Sequence, residues 1–263
     1  MDNYRVAFFD IDGTLADDQL PRELPFTERV PESAKKALKK LKENKIEPVI
    51  ASGRHYRTLL ELAHSLDVDS IISSNGNCIH YRGELIHQNT IPTKILIPLI
   101  EQLKQATIEF MLEAPHGIYY LEGSTYRGEH PTGKIRLNEQ DPLPKDIVQL
   151  IVPLKDLRQF KLAEDSPLII EKVAPFTANI HLKNGTKAEG IQKICSSMGI
   201  DVTQALAFGD EENDFTMFHT VGFPIAMGNA TPSLKEKAAY VTDSVSDDGI
   251  WKACLHLNLI SKQ

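Results

Sequence analysis

Short runs of apolar and β-branched residues alternate, through the first third of the chain, with stretches whose apolar positions recur every three to four residues. Residues 5–9 contain Val6, Ala7, Phe8 and Phe9 in succession and read as a strand. In 31–44, Ala34, Ala37, Leu38 and Leu41 fall at i, i+3, i+4 and i+7, the spacing of one helix face. Residues 48–51 read as a second strand, 56–65 as a helix with Tyr56, Leu59, Leu60 and Ala63 on one side, and 70–73 as a third strand. Repeated strand-helix alternation predicts a parallel sheet with helices on both faces.

The pattern then changes. Residues 79–87 read as a hairpin turning at Arg82-Gly83, and 93–104 as an amphipathic helix. Strands dominate from there: 108–112, 118–121, 149–152, 159–163, 168–173 and 177–182 look antiparallel, joined by loops bearing Pro and Gly. After Gly185 the first rhythm returns, with helices expected over 187–198, near 213–219 and over 232–239, and strands over 205–208 and 222–227. The expected fold is therefore α/β: a doubly wound, Rossmann-like parallel core formed by 1–84 and 183–263, interrupted by an inserted α+β domain over 85–182.

Composition narrows the function more than the fold. The 263 residues carry 29 Lys plus Arg against 36 Asp plus Glu, a net charge of -7, so no broad cationic field is available for nucleic acid or an anionic membrane. An anionic small molecule has to be met locally. The charged start followed by a strand fits no secretory leader, and no apolar run approaches a bilayer span. Cys78, Cys195 and Cys254 are odd in number and widely spaced, which predicts reduced thiols in a cytoplasmic protein.

Four stretches carry candidate chemistry. The first is Asp10-Ile11-Asp12-Gly13-Thr14, directly after a strand. Ligands collect at the carboxyl ends of strands in open parallel sheets, and Gly13 permits the turn that lets two nearby carboxylates flank one reacting centre. An Asp-Gly turn that only satisfies backbone donors is the plain alternative. The second is Gly209-Asp210-Glu211-Glu212-Asn213-Asp214. Hard oxygen donors here invite Mg2+ at Asp210 and Asp214, whereas Glu211 and Glu212 read as complements to a helix dipole. The third, Ser52-Gly53-Arg54, offers a hydroxyl and a glycine N–H as a phosphate nest, or simply a helix entry. In the fourth, Thr186 and Glu189 have capping-box spacing and put Lys187 in the first helical turn. A cation there opposes the dipole by about 0.3–1 kcal/mol, so an anion or carboxylate partner is expected, with a merely solvated lysine as the plain alternative.

In this order, the four stretches resemble the motifs of the haloacid dehalogenase-like hydrolase superfamily across the whole chain. The long insertion, with Ser74-Asn75-Gly76-Asn77, Ala226-Met227-Gly228-Asn229-Ala230 and Asp248-Gly249-Ile250, resembles its Cof-type phosphatase branch with a large α/β cap. The resemblance implies an Mg2+-dependent phosphatase of small phosphorylated metabolites, such as sugar phosphates or phosphorylated cofactors. It implies that Asp10 is the nucleophile and forms an aspartyl-phosphate, and that Asp12 protonates the leaving oxygen and later activates water. Ser52, Gly53 and Lys187 would hold the phosphoryl oxygens, with Asn213 in support. Mg2+ would sit on Asp10, the backbone carbonyl of Asp12, and Asp210, with Asp214 at the same site directly or through water. A phosphomutase of the phosphomannomutase type and a non-catalytic phosphometabolite sensor are the alternatives. A monomer or small homo-oligomer is expected. This sequence departs from the family pattern in Ser52 for a frequent Thr, Asn179 for a frequent Glu, and Ala188 for a frequent Gly. In the insertion, Glu113, His116, Tyr119, Arg127, Lys134, Arg136 and His181 are polar or basic candidates for specificity contacts, each read first as a solvated surface group.

Overall fold

The computed structural model describes residues 4–21, 23–127, 134–138, 140–174 and 176–261. In chain order it gives β1 (Val6–Phe9), α1 (Phe26–Arg29), α2 (Glu32–Glu43), β2 (Glu47–Ala51), α3 (Tyr56–Ser65), β3 (Ser70–Ser73), β4 (Cys78–Tyr81) and β5 (Glu84–Gln88). There follow α4 (Thr93–Gln105), β6 (Met111–Ala114), β7 (Gly117–Leu121), β8 (Lys134–Leu137), β9 (Gln149–Pro153), β10 (Leu168–Ala174) and β11 (Thr177–Leu182). The last stretch holds α5 (Lys187–Met198), β12 (Ala205–Gly209), α6 (Phe215–Phe218), β13 (Phe223–Ala226), α7 (Pro232–Lys235), β14 (Tyr240–Val241) and α8 (Gly249–His256). Two compact units result: Met1–Arg54, Thr58–His87 and Thr186–Gln263 form one, and His55–Arg57 with Gln88–Gly185 the other. Among the described residues no helix is long and apolar enough to cross a membrane.

In the first unit an eight-stranded sheet runs β14-β13-β12-β1-β2-β3-β4-β5. It is a doubly wound, Rossmann-like sheet, parallel from β14 to β3. The four residues of β1 are buried, as a strand covered on both faces demands. Ala34, Ala37, Leu38 and Leu41 form the buried face of α2, which packs on β2 and α8. Burying Leu38 and Leu41 contributes about 1.5–3 kcal/mol each. The sheet is not parallel throughout: β4 pairs antiparallel with β3. Only the short Ser74–Gly76 turn precedes β4, far too little chain for a parallel crossover. The helix expected over 232–239 stops at Lys235, because Ala239 N–H bonds to Pro224 O at 2.9 Å and draws the chain into β14. The helix expected near 213–219 is a 3-10 turn, Glu212–Asp214, followed by the four-residue α6.

The second unit holds a six-stranded sheet in the order β10-β11-β9-β6-β7-β8, with α4 burying Leu96, Leu99, Ile100 and Leu103. A strand outside the expected set, β8, joins one edge and pairs parallel with β7. The strand expected over 159–163 is absent. A 3-10 turn, Leu154–Gln159, leads instead into an extended segment whose Phe160 and Leu162 pack on the apolar cluster. An extended chain shows the same period of two whether or not a neighbour completes its ladder. Glu113 and His181, read as surface groups, are 1% and 2% exposed. Glu113 stands opposite Gln149 in the β6–β9 register and accepts its amide at 2.8 Å, while Gln149 accepts from Asn179 at 3.1 Å. A buried carboxylate is tolerable only when its oxygens are hydrogen-bonded in this way.

Candidate active site

β1 lies between β2 and β12, with Phe9 aligned to Ile50 on one side and Phe208 on the other. The Phe9 and Phe208 rings stack at 4.7 Å beneath the strand ends. Asp10, Ser52 and Asp210 therefore emerge from the carboxyl edges of three adjacent parallel strands, where connections diverge to the two halves of the sheet, the place ligands take in open sheets of this kind.

Two glycines let the loops close over this edge. Gly13 has φ +81°, and a Cβ there would meet Asp210 Oδ2 at 2.1 Å, so the turn after β1 lies directly against that carboxylate. Gly76 has φ +99°, and a Cβ there would meet Thr186 O at 2.0 Å. The loop after β3 consequently sits against the first residue of α5 and fixes where Lys187 begins. Thr186 accepts from Glu189 N–H at 3.3 Å, half of the expected capping box; the Glu189 carboxylate lies 3.9 Å from His87 instead.

Lys187 is the hub. Its Nζ donates to Asp10 Oδ1 at 2.6 Å and to Asp214 Oδ1 at 2.7 Å, and its side chain is 2% exposed. Burial alone would lower the ammonium pKa, but the two carboxylates outweigh it and hold the group protonated well above the usual lysine range. The cation misplaced for the helix dipole thus has two counter-charges. Asp214 also accepts from the backbone N–H of Asp210 at 3.0 Å and of Glu211 at 3.3 Å. Asp210 accepts from the Thr14 hydroxyl at 2.7 Å. Burial pushes the Asp10 carboxyl up to about 7 despite Lys187, with Asp214 adding to the rise. Burial, then Asp10 and Asp214, push Asp210 up to about 9. With all three carboxylates ionised, one lysine would leave an excess of negative charge in a poorly solvated place.

That excess fits a cation. Asp10, Asp210 and Asp214 each offer an oxygen within 4.8 Å of the others, and the donor set is hard and free of sulfur and imidazole. The carboxylate of Asp12 stands apart from this trio. Arg29 donates to its Oδ1 at 3.1 Å, and Arg54 donates to its Oδ2 from two nitrogens. Ser52 and Gly53 lie at the end of β2, where Ser52 Oγ accepts from Arg54 N–H at 3.2 Å. Asn213 is half-buried, its Oδ1 without a hydrogen-bond partner among the described residues, while Glu211 and Glu212 are exposed.

Several residues of the site had no sequence assignment. Thr14 and Asn229 hold the first loop, the latter donating to Gly13 O at 2.8 Å while accepting from Val245 N–H at 3.1 Å. Both lie within the motif stretches 10–14 and 226–230, but nothing in the sequence names their partners. Asn75 has φ +57°, and its Oδ1 would lie 2.6 Å from a Cβ on Gly53. Arg29 had no signal: it ends a four-residue helix that shows no usable periodicity.

A family model described as haloacid dehalogenase-like hydrolase matches residues 7–254. A putative phosphatase of Bacillus subtilis (strain 168) is 31% identical over 269 aligned positions, covering 97% of this chain and 98% of that relative. The 5-amino-6-(5-phospho-D-ribitylamino)uracil phosphatase YcsE of the same organism is 25% identical over 255 positions, with 96% and 95% covered. Among solved structures, a phosphatase of the same superfamily from Bacteroides thetaiotaomicron matches with a TM-score of 0.82 at 26% identity, covering 98% of this chain and 96% of that one.

Proposed function

The chain belongs to the haloacid dehalogenase-like hydrolases, in their Cof-type branch, and is a phosphoric monoester hydrolase; we propose that it hydrolyses small phosphorylated metabolites, sugar phosphates or phosphorylated cofactors, with Mg2+ and through an aspartyl-phosphate on Asp10. The observation that carries this reading is the Lys187 bridge between Asp10 and Asp214 beside Asp210, which puts one nucleophilic carboxylate, one fixed cation and a cation-ready acidic pair within a few ångströms.

In the first step an Asp10 oxygen attacks phosphorus, the bond to the leaving oxygen breaks, and Asp12 gives that oxygen its proton. In the second, water attacks phosphorus, Asp12 takes the water proton, and the bond to Asp10 breaks to release inorganic phosphate. Splitting one displacement into two is covalent catalysis assisted by a general acid and base. Lys187 Nζ, the Ser52 hydroxyl and the Gly53 N–H hold the phosphoryl oxygens, and Asn213 supports them. Asp10, the Asp12 backbone carbonyl and Asp210 would hold the Mg2+, with Asp214 aligning them through the Asp210 N–H. When bound, the ion supplies the positive charge that keeps these carboxylates ionised and offsets their repulsion of a phosphate dianion.

The relative whose name gives a phosphoribityl compound as substrate supports a small organic phosphate monoester. The burial of Cys78, Cys195 and Cys254 fits reduced thiols in a cytoplasmic setting. A panel of phosphorylated metabolites assayed with Mg2+, in wild-type and Asp10→Asn protein, tests the reading. Free phosphate released without a bisphosphate activator is expected. Transfer within the substrate would mean a mutase, and binding without turnover a sensor.

A further inference from the structure

The carboxylate of Asp12 is gripped by two guanidinium groups. Arg29 Nη2 donates to Oδ1 at 3.1 Å, while Arg54 Nε and Nη2 donate to Oδ2 at 3.1 and 2.9 Å. Both guanidiniums lie over one ring, that of Phe26, at 4.7 and 4.6 Å from its centroid. The two arginines differ in depth: the Arg29 side chain is 4% exposed and that of Arg54 23%, while Asp12 is 43% exposed. A guanidinium as deep as Arg29 is costly without a counter-charge, and Asp12 is the ion-pair partner it has among the described residues. Arg29 is also tied to the loop after Asp12 through its own carbonyl, which accepts from Asp17 N–H at 2.9 Å. Its Nε is buried and has no partner among the described residues, so the group is aimed at Asp12 at the expense of one of its own donors.

We propose that Arg29 is a positioning residue for Asp12, which with Arg54 holds this carboxylate out of the acidic trio and fixes which of its oxygens exchanges the proton. A carboxylate has about four acceptor sites, two on each oxygen. Arg54 fills both on Oδ2, and Arg29 fills one on Oδ1. Oδ1 keeps a free lone pair in a fixed direction, and it is the atom that passes a proton to the leaving oxygen and later takes one from water. Without Arg29 that oxygen loses its fixed donor and only Oδ2 stays held, in a half-exposed place. The inference rests on the reading of Asp12 as acid and base.

The test is a double-mutant cycle of Arg29→Gln with Asp12→Asn, run on an alkyl phosphate and on p-nitrophenyl phosphate, with melting curves for every variant. Arg29→Gln should lower kcat by about 10- to 100-fold, as a displaced reacting group does, with KM nearly unchanged. The loss should be larger for the alkyl phosphate, whose leaving oxygen needs the proton. In the Asp12→Asn background the same change should cost nothing further. Arg29→Lys, which keeps the buried charge should Arg29→Gln fail to fold, should retain an intermediate kcat. An unchanged kcat in Arg29→Gln, a loss equal for both substrates, or a loss that adds in full to that of Asp12→Asn would overturn the proposal. In folded Arg29→Lys protein alone, wild-type kcat, or a loss equal for both substrates, would do the same. Normal turnover in Asp12→Asn alone would instead remove the acid/base reading on which it stands.

Discussion

Asp10 and Asp12 are separated by one residue and live in opposite surroundings. Asp10 is buried against a lysine and two further carboxylates, and its affinity for protons is raised to about 7. Asp12 is half-exposed and faces two arginines, with none of its hydrogen bonds entering the acidic trio. The turn at Gly13 makes the difference possible, since it lets the chain leave the strand and point neighbouring side chains in different directions. In the proposed mechanism one motif supplies two roles because the fold solvates its two carboxylates differently. A desolvated carboxylate suits attack on phosphorus beside a metal; a carboxylate at the rim suits proton exchange with an oxygen that comes and goes.

The largest expected effect comes from removing the buried member. Asp10→Asn should bring phosphate release down to the background rate while leaving the fold intact by circular dichroism. Next is Lys187→Met, which keeps the volume but strands two buried carboxylates. It should abolish turnover and cost about 3–5 kcal/mol of stability, read from denaturant unfolding, as breaking a buried ion pair does. Asp12→Asn should be milder, slowing turnover by about 10^2- to 10^4-fold, the usual worth of general acid-base catalysis. Without Mg2+ the same contrast reaches stability, which should depend on pH. Asp10 and Asp210 bind protons more tightly folded than unfolded, so folding takes up protons and stability falls as pH rises from near 3.8 through about 7 and about 9. Added Mg2+ binds the ionised form and should raise the melting temperature more at pH 9 than at pH 5. An equal rise at both values would mean that the acidic trio is not where the ion binds.

Much of this site could be read from the order of residues, because its parts sit where strands end. Asp10, Ser52 and Asp210 each follow an apolar run, and an open parallel sheet delivers such positions to one edge. Lys187 was legible for a different reason: a cation in a first helical turn is a local conflict, and Asp10 and Asp214 resolve it. Arg29 was illegible because its helix has four residues and its partner lies 17 positions back. Short elements leave no periodicity to read. The inserted unit was less legible than the core for a related reason. Its sheet buries Glu113, Gln149 and Asn179 on neighbouring strands, and polar residues paired across strands look, in one dimension, like a solvated face. The parallel pairing of β8 with β7 depends on a partner that no local pattern names.

The most direct measurement is rapid-quench mass spectrometry of the protein during turnover with Mg2+ and a hydrolysed phosphate ester. The account predicts a phosphoryl adduct on the peptide carrying Asp10, formed and lost at rates compatible with kcat and absent from Asp10→Asn protein. Undiminished phosphate release with no adduct at Asp10 at any quench time would contradict it.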